Sequence, residues 1–136
     1  MNISNCHYYS WANEVKSLNE INKILDKKSV FFDNDIKKAK HSTKTSTVKY
    51  IDYVHLSKVL DSYIVKALAI NADYFGYNLF PISPTKVLNV NHYLKDEKYE
   101  WHFDGSHNPV NDVKLTLLIN ISEKKYEGGE IGRAHV

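Results

Sequence analysis

The sequence lacks the features of a secreted or membrane-spanning protein. It contains one cysteine, Cys6, so no internal disulfide can form, and a lone thiol is typical of a reducing compartment. Its first residues show no basic segment followed by an apolar one, as a signal peptide would. The longest nearly apolar run, YIVKALAI, is far too short to span a bilayer. We therefore expect a soluble, cytoplasmic protein with no membrane partner.

An excess of charge of one sign is also missing. The formal net charge is +2 in 136 residues, which by itself indicates neither a nucleic-acid-binding nor a membrane-surface protein. The apolar content of 43% is enough for one globular domain. Basic residues are concentrated in residues 37–49, which hold five lysines, no acidic residue and a cluster of serines and threonines. This stretch predicts a mobile, solvated loop, although a patch for an anionic partner stays open as an alternative.

Hydrophobic periodicity predicts two helices followed by strands. Apolar residues recur at helical spacing over residues 15–27 and again from His55 to about Phe75, where Gly76 would end the second helix. Later stretches are rich in β-branched, aromatic and alternating residues, and they cover residues 86–93, 99–103 and 114–122. Helices first, and then strands without helices between them, predict an α+β fold with an antiparallel sheet or a β-sandwich.

A histidine and a carboxylate lie two positions apart at the predicted strand YEWHF. His102 and Asp104 then point to the same face, because side chains alternate along a strand. An imidazole nitrogen and a carboxylate oxygen, completed by a second histidine, form the 2-His-1-carboxylate triad of non-haem Fe(II) oxygenases. Gly105 would let the chain turn away and leave a metal accessible. The same alternation would turn Tyr99 and Trp101 away from the metal and into the core.

These residues and their surroundings resemble a known enzyme family. The order YLKDEKYEWHFD (93–104), then KLTLLINIS (114–122), then YEGGE (126–130) is similar to the iron(II)- and 2-oxoglutarate-dependent dioxygenases of the prolyl 4-hydroxylase-like group. The resemblance implies N-terminal helices, residues 1–76, packed on an incomplete double-stranded β-helix, or jelly roll, whose first strands occupy residues 77–130. Residues 131–136 read IGRAHV, which a common short-read sequencing adapter can encode, so we expect a non-native tail.

The resemblance also implies roles for individual residues. His102 and Asp104 would be iron ligands, Tyr93 would hydrogen-bond a carboxylate of 2-oxoglutarate, and Asn120 would face this cosubstrate. The cofactor would be Fe(II), with 2-oxoglutarate and O2 as cosubstrates and ascorbate as an optional reductant. The reaction would hydroxylate a C–H bond in a protein side chain such as proline, or in a small molecule. The family's second ligand histidine and its basic residue for 2-oxoglutarate follow the Gly-Gly-Glu turn by some tens of residues, so we expect an inactive fragment.

Alternatives to this interpretation stay open. A nucleic-acid-demethylating oxygenase of the same superfamily shares the His-x-Asp pattern, and the lysine-rich stretch is compatible with it. A non-enzymatic β-sandwich binding module could retain the pattern without a metal, and His102 could be a hydrogen-bonded core histidine. A cupin is disfavoured because no His-x-His followed by Glu occurs. His107 could complete the metal site only if its loop bends back.

Overall fold

The computed structural model describes residues 11, 15–27, 30–31, 37–38, 44–102, 104 and 113–129. Two α-helices and a three-stranded antiparallel sheet lie in these ranges. In chain order the elements are α1 (Val15–Leu25), β1 (Lys37–Lys38), β2 (Thr47–Asp52), α2 (Ser57–Ile70) and β3 (Val87–His92). A short 3-10 turn, Tyr53–His55, joins β2 to α2, and a π-helical turn, Asn71–Phe75, extends α2. Mixed helix and antiparallel sheet are compatible with the predicted α+β class.

Both helices lie where the periodicity predicts them. The first ends at Leu25, and the second begins at Ser57 because the 3-10 turn takes up the chain directly after β2. At its far end Gly76 adopts φ 73, a left-handed conformation that favours glycine, and its N–H donates to Asn71 O at 2.6 Å. The helical segment therefore ends at the residue that the sequence indicates. No helix in the described ranges is both long and apolar enough to cross a membrane.

The sheet has the order β1-β2-β3, and both strand pairs are antiparallel. β2 pairs with β3 along its whole length, with Val48 opposite Asn91 and Ile51 opposite Leu88. Because β1 and the start of β2 lie in the lysine-rich stretch, the prediction of a mobile loop is wrong for its described part. The strand β2 escapes detection because Val48 and Ile51 are buried three positions apart, which breaks the two-residue alternation of a strand. It also lies between the two helices rather than after them.

The two later predicted strands form no ladder in the described part of the chain. Tyr99 makes a single antiparallel bridge with Lys44, and residues 100–102 continue without strand pairing. Residues 113–121 are also in no described ladder, yet their exposure alternates with period two. The half-buried side chains are Leu115, Leu117, Ile119 and Ile121, and the exposed ones are Thr116, Leu118 and Asn120. The predicted alternation of this segment is thus present, whereas the predicted pairing is not.

The hydrophobic core lies between the sheet and the helices. Its buried cluster contains Ile21, Ile51, Tyr53, Leu56, Val59, Leu60 and Tyr63. Ile51 of β2 is at the centre, with 0% of its surface exposed. Residues 113–121 join this core through Ile119 and Ile121, and Asn22 Nδ2 on α1 donates to Ile121 O at 3.0 Å. The segment that follows the candidate site is therefore tied to the first helix.

Replacing Ile51 with alanine should destabilise the protein by about 2–5 kcal/mol, because the change removes a fully buried side chain and leaves a cavity. Val54→Ala is the matched control. Val54 is 53% exposed, so its truncation should change the free energy of unfolding by less than about 0.5 kcal/mol. Urea denaturation followed by circular dichroism measures both changes. Equal losses in the two variants would contradict the central position of Ile51.

A buried tyrosine makes stability depend on alkaline pH. The Tyr53 hydroxyl donates to Asp61 Oδ1. Burial, reinforced by this hydrogen bond and by the aspartate charge, raises the pKa of Tyr53 from 10.0 to about 12. The folded protein therefore keeps the phenol proton at pH values where the unfolded chain loses it. The stability contributed by this group is complete below pH 10 and is lost as the pH rises towards 12.

Tyr53→Phe should remove this pH-dependent contribution. We expect the free energy of unfolding of the wild type, relative to Tyr53→Phe, to fall as the pH rises from 10 to 12. Denaturant titrations at a series of pH values in that range measure the difference. Val54→Ala removes no ionisable group, so it is the control and should follow the pH dependence of the wild type. A constant difference between wild type and Tyr53→Phe would refute the shifted titration.

Candidate metal centre

His102 and Asp104 approach each other at the surface, as their spacing predicts. The imidazole Nε2 lies 3.2 Å from Asp104 Oδ1, and the two side chains are 35% and 49% exposed. The alternative of a core histidine is wrong, because His102 is exposed. The approach does not depend on a strand ladder, since the described residues around the pair form none. Instead, each side chain is oriented by a hydrogen bond of its own.

The imidazole of His102 is oriented by the backbone just before it. Nδ1 lies 2.6 Å from the carbonyl oxygen of Glu100. A carbonyl oxygen only accepts, so Nδ1 donates. Nε2 faces Asp104 Oδ1, which also only accepts, so this contact needs either a proton on Nε2 or a metal ion in its place. A histidine that ligates a metal usually has this arrangement, in which one nitrogen binds the ion and a hydrogen bond holds the other.

The carboxylate of Asp104 is oriented by Thr116. Thr116 Oγ1 donates to Asp104 Oδ2 at 2.6 Å, which leaves Oδ1 as the oxygen near His102. Thr116 lies on the exposed side of the extended segment whose other side packs on the core. It has no role in the sequence-based prediction, although a polar residue in the apolar stretch KLTLLINIS is the signal that could have indicated one.

The separation of the two side-chain atoms fits two ligands of one metal ion. Protein ligands about 2.1 Å from an ion and at right angles are roughly 3 Å apart, close to the 3.2 Å between His102 Nε2 and Asp104 Oδ1. Imidazole nitrogen and carboxylate oxygen are ligands of several divalent metals, Zn(II) and Fe(II) among them. Within the described ranges, no group of three or more His, Cys, Asp and Glu side chains could hold an ion. Gly105 and His107 lie outside the described residues.

The predicted core positions of Tyr99 and Trp101 are wrong. The Tyr99 ring stacks on the imidazole of His102, with centroids 3.6 Å apart and ring planes 17° apart. Trp101 is 73% exposed. Strand alternation would turn both residues away from His102, but the alternation does not hold here because the chain after Tyr99 forms no described ladder. Tyr99 therefore belongs to the candidate site.

Lys44 adds a positive charge beside the site. Its Nζ lies 4.6 Å from the centroid of the Tyr99 ring and donates to Asn91 Oδ1 at 2.8 Å. Burial lowers the pKa of Lys44, and the negative charge of Asp104 partly offsets this effect. Burial raises the pKa of Tyr99, with smaller contributions from Asp104 and then Tyr93. These groups are thus close enough to influence one another electrostatically.

The two residues expected to contact 2-oxoglutarate have different surroundings. Tyr93, directly after β3, is 43% exposed and acts on the pKa of Tyr99, so it lies near the site. Asn120 instead donates to Tyr126 OH, and its Oδ1 accepts from Ser122 N at 3.1 Å. No described hydrogen bond links Asn120 to the histidine–aspartate pair. Both roles in cosubstrate binding stay predictions.

The glycines of the stretch YEGGE have a backbone explanation. Gly128 and Gly129 adopt φ values of 82 and 70, in the left-handed region that favours glycine. A Cβ atom on Gly129 would also lie 3.0 Å from Cε2 of Tyr126. The two glycines therefore serve the turn itself. Glu130 and the expected non-native tail, residues 131–136, lie outside the described residues.

Comparison with known proteins identifies no relative. No protein-family model, no curated protein and no solved structure matches this chain. The similarity to the 2-oxoglutarate-dependent dioxygenases therefore depends on the order and spacing of the residues quoted above.

With Zn(II) bound, His102 should carry its proton on Nδ1, because Nδ1 faces a carbonyl oxygen that only accepts and the ion takes the place of a proton between Nε2 and Asp104. Long-range proton–nitrogen NMR of the zinc-loaded protein measures which nitrogen carries the proton. His102→Asn assigns the resonance, and the exposed His55 is the reference. A zinc-loaded His102 with its proton on Nε2 would contradict the orientation described above.

Proposed function

We propose that this chain is part of an Fe(II)- and 2-oxoglutarate-dependent dioxygenase domain that hydroxylates a C–H bond. The observation that carries the proposal is the approach of His102 Nε2 and Asp104 Oδ1 to 3.2 Å. The other polar atom of each side chain is already bound within the protein, to Glu100 and Thr116. A 2-His-1-carboxylate site has one histidine and one carboxylate of this kind, each oriented by a hydrogen bond, among its three protein ligands.

The fold proposed around these ligands is an incomplete jelly roll supported by N-terminal helices. α1 and α2 share one core with β2, and residues 113–121 join it with alternating exposure. Ile119 and Ile121 pack against the core, while Thr116 on the other side bonds to Asp104. A segment whose side chains alternate between the core and a site is compatible with a strand of the proposed jelly roll.

Each residue of the proposed site would have its own role. His102 and Asp104 would hold Fe(II), Thr116 would orient the carboxylate, and Tyr93 would hydrogen-bond a carboxylate of 2-oxoglutarate. Bound Fe(II) would supply the activation of O2, with 2-oxoglutarate as the reductant. A third protein ligand is not among the His, Cys, Asp and Glu side chains that the structure describes at this site. A protein side chain such as proline is the proposed substrate, by resemblance alone.

Two of the five lysines in the lysine-rich stretch contact aromatic rings of the protein itself. Lys44 lies over the Tyr99 ring, and Lys49 Nζ lies 5.0 Å from the centroid of the Phe31 ring. For these two lysines, a contact within the protein weakens the argument for the nucleic-acid-demethylating alternative.

Metal binding should depend on both proposed ligands. We expect weak binding of Co(II), a substitute for Fe(II) with a visible spectrum, and we expect His102→Ala and Asp104→Asn to weaken it by at least about tenfold. Asp104→Asn retains an oxygen for Thr116 but removes the charge. His55→Ala and Asp96→Asn, at an exposed histidine and an exposed carboxylate elsewhere, are the controls and should bind as the wild type does.

Unchanged binding in both ligand variants would contradict the metal site and favour a binding module that needs no metal. A parallel assay for succinate, with Fe(II), ascorbate and 2-oxoglutarate, tests turnover. We expect no succinate above the His102→Ala background, because the described residues supply no third ligand. Succinate above that background would place a third ligand among the other residues, such as His107. Peptides and methylated oligonucleotides as substrates would then separate the two oxygenase alternatives.

A further inference from the structure

A series of contacts connects the lysine-rich stretch to the imidazole of His102. Thr45 N donates to Lys98 O, and Lys98 N donates back to Thr45 Oγ1, both at 2.9 Å. Next to this pair, Lys44 forms an antiparallel bridge with Tyr99. Because β2 begins just after these residues, the pairing attaches the backbone before His102 to the sheet.

The side chains extend this connection to the metal ligand. Asn91 on β3 accepts a hydrogen bond from Lys44 Nζ at 2.8 Å, which holds the ammonium 4.6 Å from the centroid of the Tyr99 ring. Tyr99 in turn stacks on His102 with the centroids 3.6 Å apart. A cation over an aromatic ring and two stacked rings are both attractive contacts, so each restricts the rotation of the ring it touches.

The imidazole of His102 is consequently restrained in more than one way. The hydrogen bond from Nδ1 to Glu100 O determines which nitrogen is free for a ligand. The stack on Tyr99 restricts the plane of the ring. A ligand that is already oriented loses less conformational entropy when the ion binds, so such restraints increase metal affinity.

We propose that Tyr99, held by Lys44, is a positioning residue that keeps the imidazole of His102 in its metal-binding orientation. The inference rests on the proposed function, because it assumes that His102 is a ligand. Tyr99 acts through His102 and is not itself a ligand. The lysine-rich stretch thereby has a role as the support of the site.

Two substitutions of Tyr99 separate the stack from the hydroxyl group. Tyr99→Leu removes the aromatic face, so the dissociation constant for Co(II) should rise on the order of tenfold. Tyr99→Phe keeps the face and should give the affinity and the visible spectrum of the wild type. Because Tyr99 is 43% exposed, both variants should keep the melting temperature of the metal-free protein. Wild-type Co(II) affinity and spectrum in Tyr99→Leu would overturn the proposal.

A double-mutant cycle tests the part of Lys44. Because the Lys44 ammonium also interacts directly with the charge of Asp104, the readout is the position of the imidazole and not the Co(II) affinity. Lys44→Met removes the charge with a side chain of similar length, and it should shift the NMR signals of the His102 ring protons less than Tyr99→Leu does. In the Tyr99→Leu background Lys44→Met should add no shift, because Lys44 acts on His102 through Tyr99. Lys44→Arg keeps a cation over the ring and should leave these signals unshifted, whereas an added shift in the double variant would overturn this part of the proposal.

NMR of the metal-free protein distinguishes a failure of this inference from a failure of the metal site. Tyr99→Leu should shift the ring protons of His102 through the loss of the ring current, whereas Tyr99→Phe should not. If this shift occurs but the wild type binds no Co(II) through His102, the proposed function fails and the positioning of the imidazole stands. If the wild type binds Co(II) but the shift is absent, the positioning fails and the metal site stands.

Discussion

The antiparallel pairing of β2 with β3 is the constraint on which the other parts of the structure depend. β2 carries Ile51 into the centre of the core, where both helices pack. The residues just before β2 pair with the backbone that leads to His102. β3 supplies Asn91, whose side-chain oxygen holds the Lys44 ammonium over Tyr99. The core and the candidate metal centre thus share one strand pair, so a change that separates these strands would disturb both.

The sequence predicts the fold best where a single periodicity decides the outcome. α2 packs one stripe of apolar side chains on the core, and a stripe with helical spacing is visible without any knowledge of its partner. β2 is different, because its buried residues Val48 and Ile51 do not alternate and Lys49 between them indicates solvent. The strand is fixed by pairing with β3, forty residues away along the chain. Contacts of that range leave no periodic signal in one sequence.

In the candidate site too, the sequence predicts a contact between residues that are close along the chain but not the contacts between residues that are far apart. The two-residue spacing predicts the approach of His102 and Asp104, and the approach is present although the predicted ladder is not and the chain bends at Trp101 and Asp104. The residues that orient the pair come from elsewhere. Thr116 lies twelve positions beyond Asp104, and Lys44 precedes Tyr99 by more than fifty positions. No spacing rule indicates these partners, and strand alternation placed Tyr99 on the wrong side.

The contacts around His102 restrain its imidazole on several sides at the protein surface. Nδ1 donates to Glu100 O, the ring stacks on Tyr99, and Nε2 lies 3.2 Å from Asp104 Oδ1. Asp104 in turn accepts a hydrogen bond from Thr116. With a protonated imidazole, an ion pair between side chains that are 35% and 49% exposed contributes only about 0–1 kcal/mol to stability. Groups that are oriented in advance lose less conformational entropy when a ligand binds, so these restraints are compatible with the proposed metal site.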